Sequence, residues 1–374
     1  MKKFFFKLIC LLPVLIGVGV VNFLGDPAHL FHSPTQEAYE YEEQIADFLI
    51  HGKNVTQISN FNERMFQKLY IENQPKKKDM VVIGSSRSMA IRSSFFPGKT
   101  FFNNSVSGAM LQDYFSLYDL YRRQGQLPKE IVLGIDPWIF NKNYPEDRWK
   151  MLEAYYDELS NVISAPSGQF NYKIRDFIPE NLLELFSLSY FRAASHKLLS
   201  KESGVEADTS DDEPVSVNTS VNEGQTILAD GSRVYDKITR EKSKDEIDAI
   251  AISFATQSTS YGFDSFFELD KKTQKNLEQF ISLVKKDGVK ITLFLPPYHY
   301  KSYEIMSKLP KYKMMKEVEA YLIRFCRENK ISLVGSYNPQ KLPIHEDDFL
   351  DGMHFKDTAV RKIFKSIYFR GSDL

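Results

Sequence analysis

The sequence predicts an α/β fold: a three-layer sandwich with a central parallel sheet, preceded by an N-terminal transmembrane helix. Three observations carry this expectation. Short apolar runs at 80–83, 130–135 and 289–295 have the profile of strands buried on both faces, with none of the in–out alternation of a half-exposed sheet. Stretches with helical apolar spacing, 110–121, 272–286 and 313–329, lie between and after them, and such alternation implies a parallel sheet covered on both faces. Lysines next to an unbroken apolar run open the chain.

Each element has its own local signals. Lys76–Lys78 and Gly84 bound the first strand, and a weaker run at 100–102 is a second. Asp136-Pro137 closes the strand at 130–135. The helix at 272–286 ends at Asp287-Gly288, and Pro296-Pro297 halts the strand that follows. A strand at 331–334 and a helix over 357–369 complete the pattern, and helices are also expected at 37–49 and 61–70. Between 141 and 264 the alternation breaks, which marks an insertion. Within it, residues 200–223 are rich in Asp, Glu, Ser and Thr and poor in large apolar groups, which predicts disorder. Asp230-Gly231 after them reads as a turn. The expected layout is an anchor at 1–25, a helical linker region at 26–77, and an α/β domain at 78–374 carrying the insertion.

The N-terminus reads as an address. Lys2, Lys3 and Lys7 flank an apolar stretch from Leu8 to Leu24, about 17 residues, just enough to span a bilayer. The lysines favour the cytoplasmic side, which places the rest of the chain outside the cytoplasm. No small-residue cleavage site ends the run, so a retained anchor is favoured over a cleaved signal peptide. Bulky Ile9 before Cys10 speaks against a lipid-modified cysteine.

Composition removes several classes. With 43% hydrophobic and 26% charged residues the chain folds rather than staying disordered. A formal net charge of −1, with no basic stretch interleaved with aromatics, argues against a nucleic-acid partner. The two cysteines, Cys10 and Cys326, make neither a disulfide framework nor a zinc site. No metal or other cofactor is expected.

Ligand crevices of open α/β sheets lie beyond the carboxyl ends of the strands, and unusual residues sit there. The first strand runs into Gly84-Ser85-Ser86-Arg87-Ser88, which presents a serine at a helix start, where backbone N–H groups favour developing negative charge. Near the C-terminus, Asp351-Gly352-Met353-His354 lets one short segment supply an imidazole and the carboxylate that orients it. Either segment alone is ordinary loop chemistry. Of the seven histidines (29, 32, 51, 196, 299, 345 and 354), only His354 combines a carboxylate three residues before it with a place ahead of a final helix; His299, after a strand end, is a candidate to line the cleft.

Taken together, Gly-x-Ser after the first strand, a glycine loop after the second, and Asp-x-x-His before the last helix resemble the SGNH (GDSL-like) hydrolase superfamily. The resemblance implies that Ser86 is the nucleophile, Asp351 and His354 complete its triad, and the N–H groups of Ser86 and Gly108, in Asn104-Ser-Val-Ser-Gly108, form the oxyanion hole. Gly-Ser-Ser, the anchor and the mid-chain insertion are similar to the branch of alginate O-acetyltransferase-like proteins and the D-alanyl transfer protein of teichoic acid synthesis. That branch implies an extracytoplasmic O-acetyltransferase or esterase acting on a cell-envelope glycan. It further implies an acyl donor and a membrane-bound acyltransferase as partner. A binding or assembly subunit with a degenerate site is the alternative.

One departure matters. Where the family carries an oxyanion-donating Asn, this chain has Asp136, within Gly134-Ile-Asp-Pro-Trp138, and an ionised Asp only accepts. Either another donor substitutes, or Asp136 caps backbone N–H groups beside Pro137; the capping role is favoured. Arg87 fits either an anionic part of the substrate or an ion pair, and Asp136 and Trp138 are further candidate substrate contacts.

Overall fold

The structure, a computed structural model, describes residues 16–24, 39–58, 61–164, 191, 195, 214–256 and 260–366. The chain divides into two compact units, Met1–Glu40 with Asn171–Glu213, and Tyr41–Phe170 with Pro214–Leu374. In the first, residues 16–24 are helical. Most of the anchor expected at 1–25 lies outside the described residues, and no described helix is long and apolar enough to cross a membrane.

The second unit is an α/β fold built on five parallel strands: β2 (Met80–Ile83), β3 (Phe101–Asn103), β4 (Glu130–Gly134), β8 (Lys290–Leu295) and β9 (Ser332–Gly335). Their order across the sheet is β3-β2-β4-β8-β9. The register runs without a break, for example Val81 opposite Ile131 and Ile131 opposite Ile291. Counting only this sheet, the order is 2-1-3-4-5, so the chain reverses direction across the sheet between β2 and β4. A doubly wound sheet opens a crevice at that point, beyond the carboxyl ends of its strands.

Both faces are covered. Val81, Ile83, Ile131, Leu133, Ile291 and Leu293 point to one side. There they meet α3 (Leu111–Arg123), α6 (Lys271–Lys286) and α8 (Lys313–Glu328) through Leu117, Leu277, Phe280, Val318 and Leu322. Their neighbours Met80, Val82, Val132, Phe294 and Val334 point the other way, against Ala359, Val360 and Ile363 of α9 (Asp357–Lys365). The period of two along each strand sorts alternate residues into two cores, which is why the strands read as continuous apolar runs.

A second sheet was not anticipated. Strands β1 (Asn54–Thr56), β5 (Val215–Val217), β6 (Thr226–Ile227) and β7 (Arg233–Val234) pair antiparallel in the order β5-β1-β6-β7. Residues 26–77 are therefore more than a helical linker: they contribute β1 between α1 (Glu40–Ile50) and α2 (Glu63–Asn73). The expected disorder over 200–223 falls partly outside the described residues, and from Pro214 onward it is corrected, because Val215–Val217 pairs with β1. Backbone pairing gives this polar segment the partners that its side chains do not announce. Ile45, Leu49, Val55, Phe66, Tyr70, Phe102 and Ile227 form the core beneath, with Tyr70 stacked on Phe102. Asp230 and Gly231 make the turn between β6 and β7. Gly231 has φ +77°, and a side chain there would strike the Asn103 carbonyl and the Phe102 ring.

Among the described residues, α4 (Glu153–Ser164), α5 (Lys244–Thr256), α7 (Tyr300–Lys308) and a single helical turn at Lys237–Arg240 escaped the sequence pattern. Helices α5 and α7 pack together; Ser302 donates to the Ala251 carbonyl at 2.9 Å.

Candidate active site

The turn that carries Ser86 begins where β2 ends. Gly84 and Ser85 lead into a single 3₁₀ turn, Ser86–Ser88, capped by the Ser85 hydroxyl, which accepts from the Arg87 N–H at 3.1 Å. Ser88 packs inward between the backbones of β2 and β4. A β-carbon at Gly134 would overlap its Oγ, and one at Gly84 would crowd it. The glycine of Gly-x-Ser thus serves close approach. Replacing Gly134 with Ala is expected to cost about 1–3 kcal/mol by overpacking and to displace the Ser86 turn. Denaturant unfolding measures this. Adding Ser88→Gly, which removes the obstruction, should restore most of the loss, and a cost for Gly134→Ala alone within about 0.5 kcal/mol of zero would contradict the packing.

The turn at 351–354 arrives from the other end of the chain. Phe349 and Phe355 form an antiparallel bridge, and the Leu350 N–H donates to the His354 carbonyl at 2.9 Å. Gly352 is obligatory here. A β-carbon would sit 2.9 Å from Phe254 Cβ of α5 and 2.9 Å from Ser302 Oγ of α7. The His299 N–H binds the Gly352 carbonyl at 3.0 Å and fixes the turn from behind.

These two turns, 268 residues apart, meet. Ser86 Oγ lies 2.9 Å from His354 Nε2, and His354 Nδ1 lies 2.8 Å from Asp351 Oδ2. Asp351 Oδ1 accepts two backbone N–H groups, from Met353 at 2.8 Å and His354 at 2.7 Å. Burial would raise the Asp351 pKa, but the adjacent His354, its ring N–H and the two backbone donors outweigh burial and hold the carboxyl well below the usual carboxylate range. An ionised Asp351 can only accept. The proton therefore sits on Nδ1, and Nε2 faces the serine hydroxyl as an acceptor. All three side chains are partly exposed, as a site open to a substrate requires.

The loop after β3 runs beside this turn, with the Val106 N–H on the Gly84 carbonyl at 3.0 Å. Gly108 adopts φ +60°, and a β-carbon there would overlap the guanidinium of Arg148. Neither the Ser86 nor the Gly108 N–H is engaged in a hydrogen bond among the described residues. The loop is pinned from α2: Glu63 accepts from the Ser107 N–H and hydroxyl, while Arg64 makes a buried two-pronged pair with Asp113 at 2.7 and 2.9 Å.

Four residues expected to touch substrate do not. Arg87 is wholly buried and spends its donors internally, on Asp136 Oδ1 at 2.7 Å, the Pro296 carbonyl at 2.6 Å and the Met353 carbonyl at 3.2 Å. Asp136 is equally buried and makes no side-chain cap at Pro137, which corrects that role. Burial pushes its carboxyl upward, and the Arg87 guanidinium 2.7 Å away opposes that shift. Trp138 is 1% exposed, donates to the Ala109 carbonyl and stacks on Tyr261. His299 is buried as the N-cap of α7, where its Nδ1 accepts from the Lys301 N–H at 3.2 Å and burial lowers its pKa. Each follows a strand, as expected, but its side chain turns into the protein.

The structure adds residues that no motif marked. Tyr235 follows β7, and its ring lies 5.6 Å from the His354 ring. Burial, then the Asp351 charge, keeps its phenol protonated. The second sheet positions it: the Arg233 N–H binds the Met89 carbonyl at 2.8 Å, and Asp230 Oδ2 accepts from Ser93 at 2.7 and 2.8 Å. Tyr261 has φ +49°, uncommon outside glycine, and the Asn141 side chain bonded to the Gly262 carbonyl at 2.8 Å holds that segment. Arg148, paired with Glu146, lies over Gly108. A cavity of about 1020 Å³ opens elsewhere, lined by Phe95, Phe96 and Arg361 and by Met80, Glu130, Lys290 and Ser332, which begin their strands, so it lies at the amino-terminal end of the strands, opposite Ser86. Among the described residues no group of three His, Cys, Asp or Glu could hold a metal ion.

A comparison with curated proteins gives no match. A family model described as protein of unknown function, DUF1574, matches residues 49–369, spanning both sheets and the Ser86, Asp351 and His354 turns. The chain belongs to the DUF1574 family.

Proposed function

We propose that this protein is a serine-dependent acyl-ester enzyme of the SGNH type that works through an acyl-serine intermediate. The observation that carries the reading is the continuous chain Ser86–His354–Asp351, with contacts of 2.9 and 2.8 Å at the sheet's switch point. His354 takes the proton as Ser86 Oγ attacks the ester carbonyl, and Asp351 stabilises the imidazolium. The unengaged N–H groups of Ser86 and Gly108 are suited to the oxyanion, with the Arg148 guanidinium beside Gly108. The imidazolium then protonates the departing alkoxide, and a second hydroxyl, from water or a sugar, takes the acyl group by the reverse steps.

The Tyr235 and Tyr261 rings favour a sugar face as the acceptor, and the N-terminal lysines and apolar run favour an anchored, extracytoplasmic setting. Together these support O-acyl transfer to a cell-envelope polysaccharide, with a membrane-bound acyltransferase as donor-side partner. A second reading, a binding subunit with a degenerate site, draws on Asp136, which is locked to Arg87 and donates nothing to an oxyanion.

Labelling the full chain with a fluorophosphonate separates the two. Wild type is expected to label at a single serine and the Ser86→Ala variant not at all. Folded wild type that neither labels nor hydrolyses p-nitrophenyl acetate would overturn the enzyme reading.

A further inference from the structure

The structure assigns Arg87 a task beyond those above: we infer that it is the positioning residue that keeps the serine turn and the histidine turn at working distance, with Asp136 as its anchor. This deepens the proposed function and rests on it. Ser86 and His354 belong to segments with no covalent reason to stay together, and their mutual bond at 2.9 Å must open during acyl transfer. Something else has to maintain the spacing. Arg87 directly follows the nucleophile, and its planar fork reaches three separate segments at once. Asp136 follows β4, Pro296 follows β8, and Met353 immediately precedes His354. The guanidinium carbon lies 4.0 Å from the centre of the Tyr298 ring, which closes the remaining face.

Chemistry explains why arginine suits this place. Its fork makes several directed bonds from one rigid plane, whereas an ammonium is a point charge that cannot reproduce the geometry. A buried cation needs a counter-charge, and Asp136 supplies one. The residue at the position of an oxyanion donor in the resembled family is therefore, in this chain, the counter-ion of a clamp. Two strand-end segments and the histidine turn are tied to one side chain next to the nucleophile, so a shift in any of them is felt at Ser86.

The test uses the full chain with Arg87→Lys and the double variant Arg87→Met with Asp136→Leu. The double variant replaces the pair with apolar groups of similar size, a change that leaves stability near wild type. If the clamp positions the turns, both variants fold, kcat for p-nitrophenyl acetate falls by about 10²-fold, and KM stays within a few-fold. If the pair merely stabilises the fold, the double variant regains stability and rate together, which overturns the inference. A crystal structure of the double variant reads the same point without activity: the Ser86–His354 separation should exceed the hydrogen-bonding range of about 3.2 Å. Inactive wild type would remove the enzyme reading alone, and the clamp would still stand or fall on that distance. An unchanged 2.9 Å contact in the double variant refutes it.

Discussion

Replacing His354 with alanine is expected to lower kcat for a small acyl ester by roughly 10⁴- to 10⁶-fold, with the fold intact. A serine hydroxyl is a weak nucleophile unless a base in hydrogen-bond reach takes its proton, and in the proposed reading His354 Nε2, 2.9 Å from Ser86 Oγ, is that base. The imidazole contributes little to the core: it is partly exposed and packs against the Tyr235 ring. Asp351 would keep its two backbone donors, so the stability loss should be about 1 kcal/mol. Steady-state hydrolysis of p-nitrophenyl acetate and the rate of fluorophosphonate labelling measure the effect. A variant that labels at the wild-type rate would show that Ser86 is not activated by this histidine.

The second large effect is expected from Asp351→Asn, on the order of 10⁴-fold in kcat. Asp351 uses one oxygen for the Met353 and His354 N–H groups and the other for His354 Nδ1. An asparagine has one oxygen. Keeping it on the backbone donors turns the amide NH₂ toward Nδ1, which then accepts, and the ring proton moves to Nε2, facing Ser86. That tautomer cannot take the serine proton.

The same substitution alters acid stability. The folded carboxyl titrates below its unfolded value of about 4, so as pH falls the unfolded chain takes up the proton first. The contribution of Asp351 is thus complete at neutral pH and is lost as pH falls toward its lowered folded value. Urea midpoints between neutral and acid pH should fall less steeply for Asp351→Asn than for wild type. Equal slopes would mean that the carboxylate is not stabilised in the native state.

Much of this site was legible in the residues. A buried parallel strand has to be apolar on both faces, so Met80–Ile83, Glu130–Gly134 and Lys290–Leu295 announce themselves, and the segments that follow them are the places to look for a crevice. The rule names which residues follow a strand but not where their side chains point. Arg87, Asp136, Trp138 and His299 satisfy it and turn inward, because the ion pair, the Ala109 carbonyl and the α7 cap offer each a partner that solvent does not. Tyr235 lay beyond sequence reasoning for a related reason. It is carried by a two-residue strand whose sheet joins residues 54–56 to 215–217, and such pairing leaves almost no periodic trace.

The sequence by itself determined the α/β class, the order of the parallel strands along the chain, and the serine, aspartate and histidine worth watching, because burial and turn chemistry act on neighbours. Tertiary structure alone decided the order of the strands across the sheet, the second sheet, and which strand-end side chains face the cleft. Those outcomes depend largely on contacts between segments that are not neighbours in the chain, where each group takes the partner that satisfies its charge or hydrogen bond out of water.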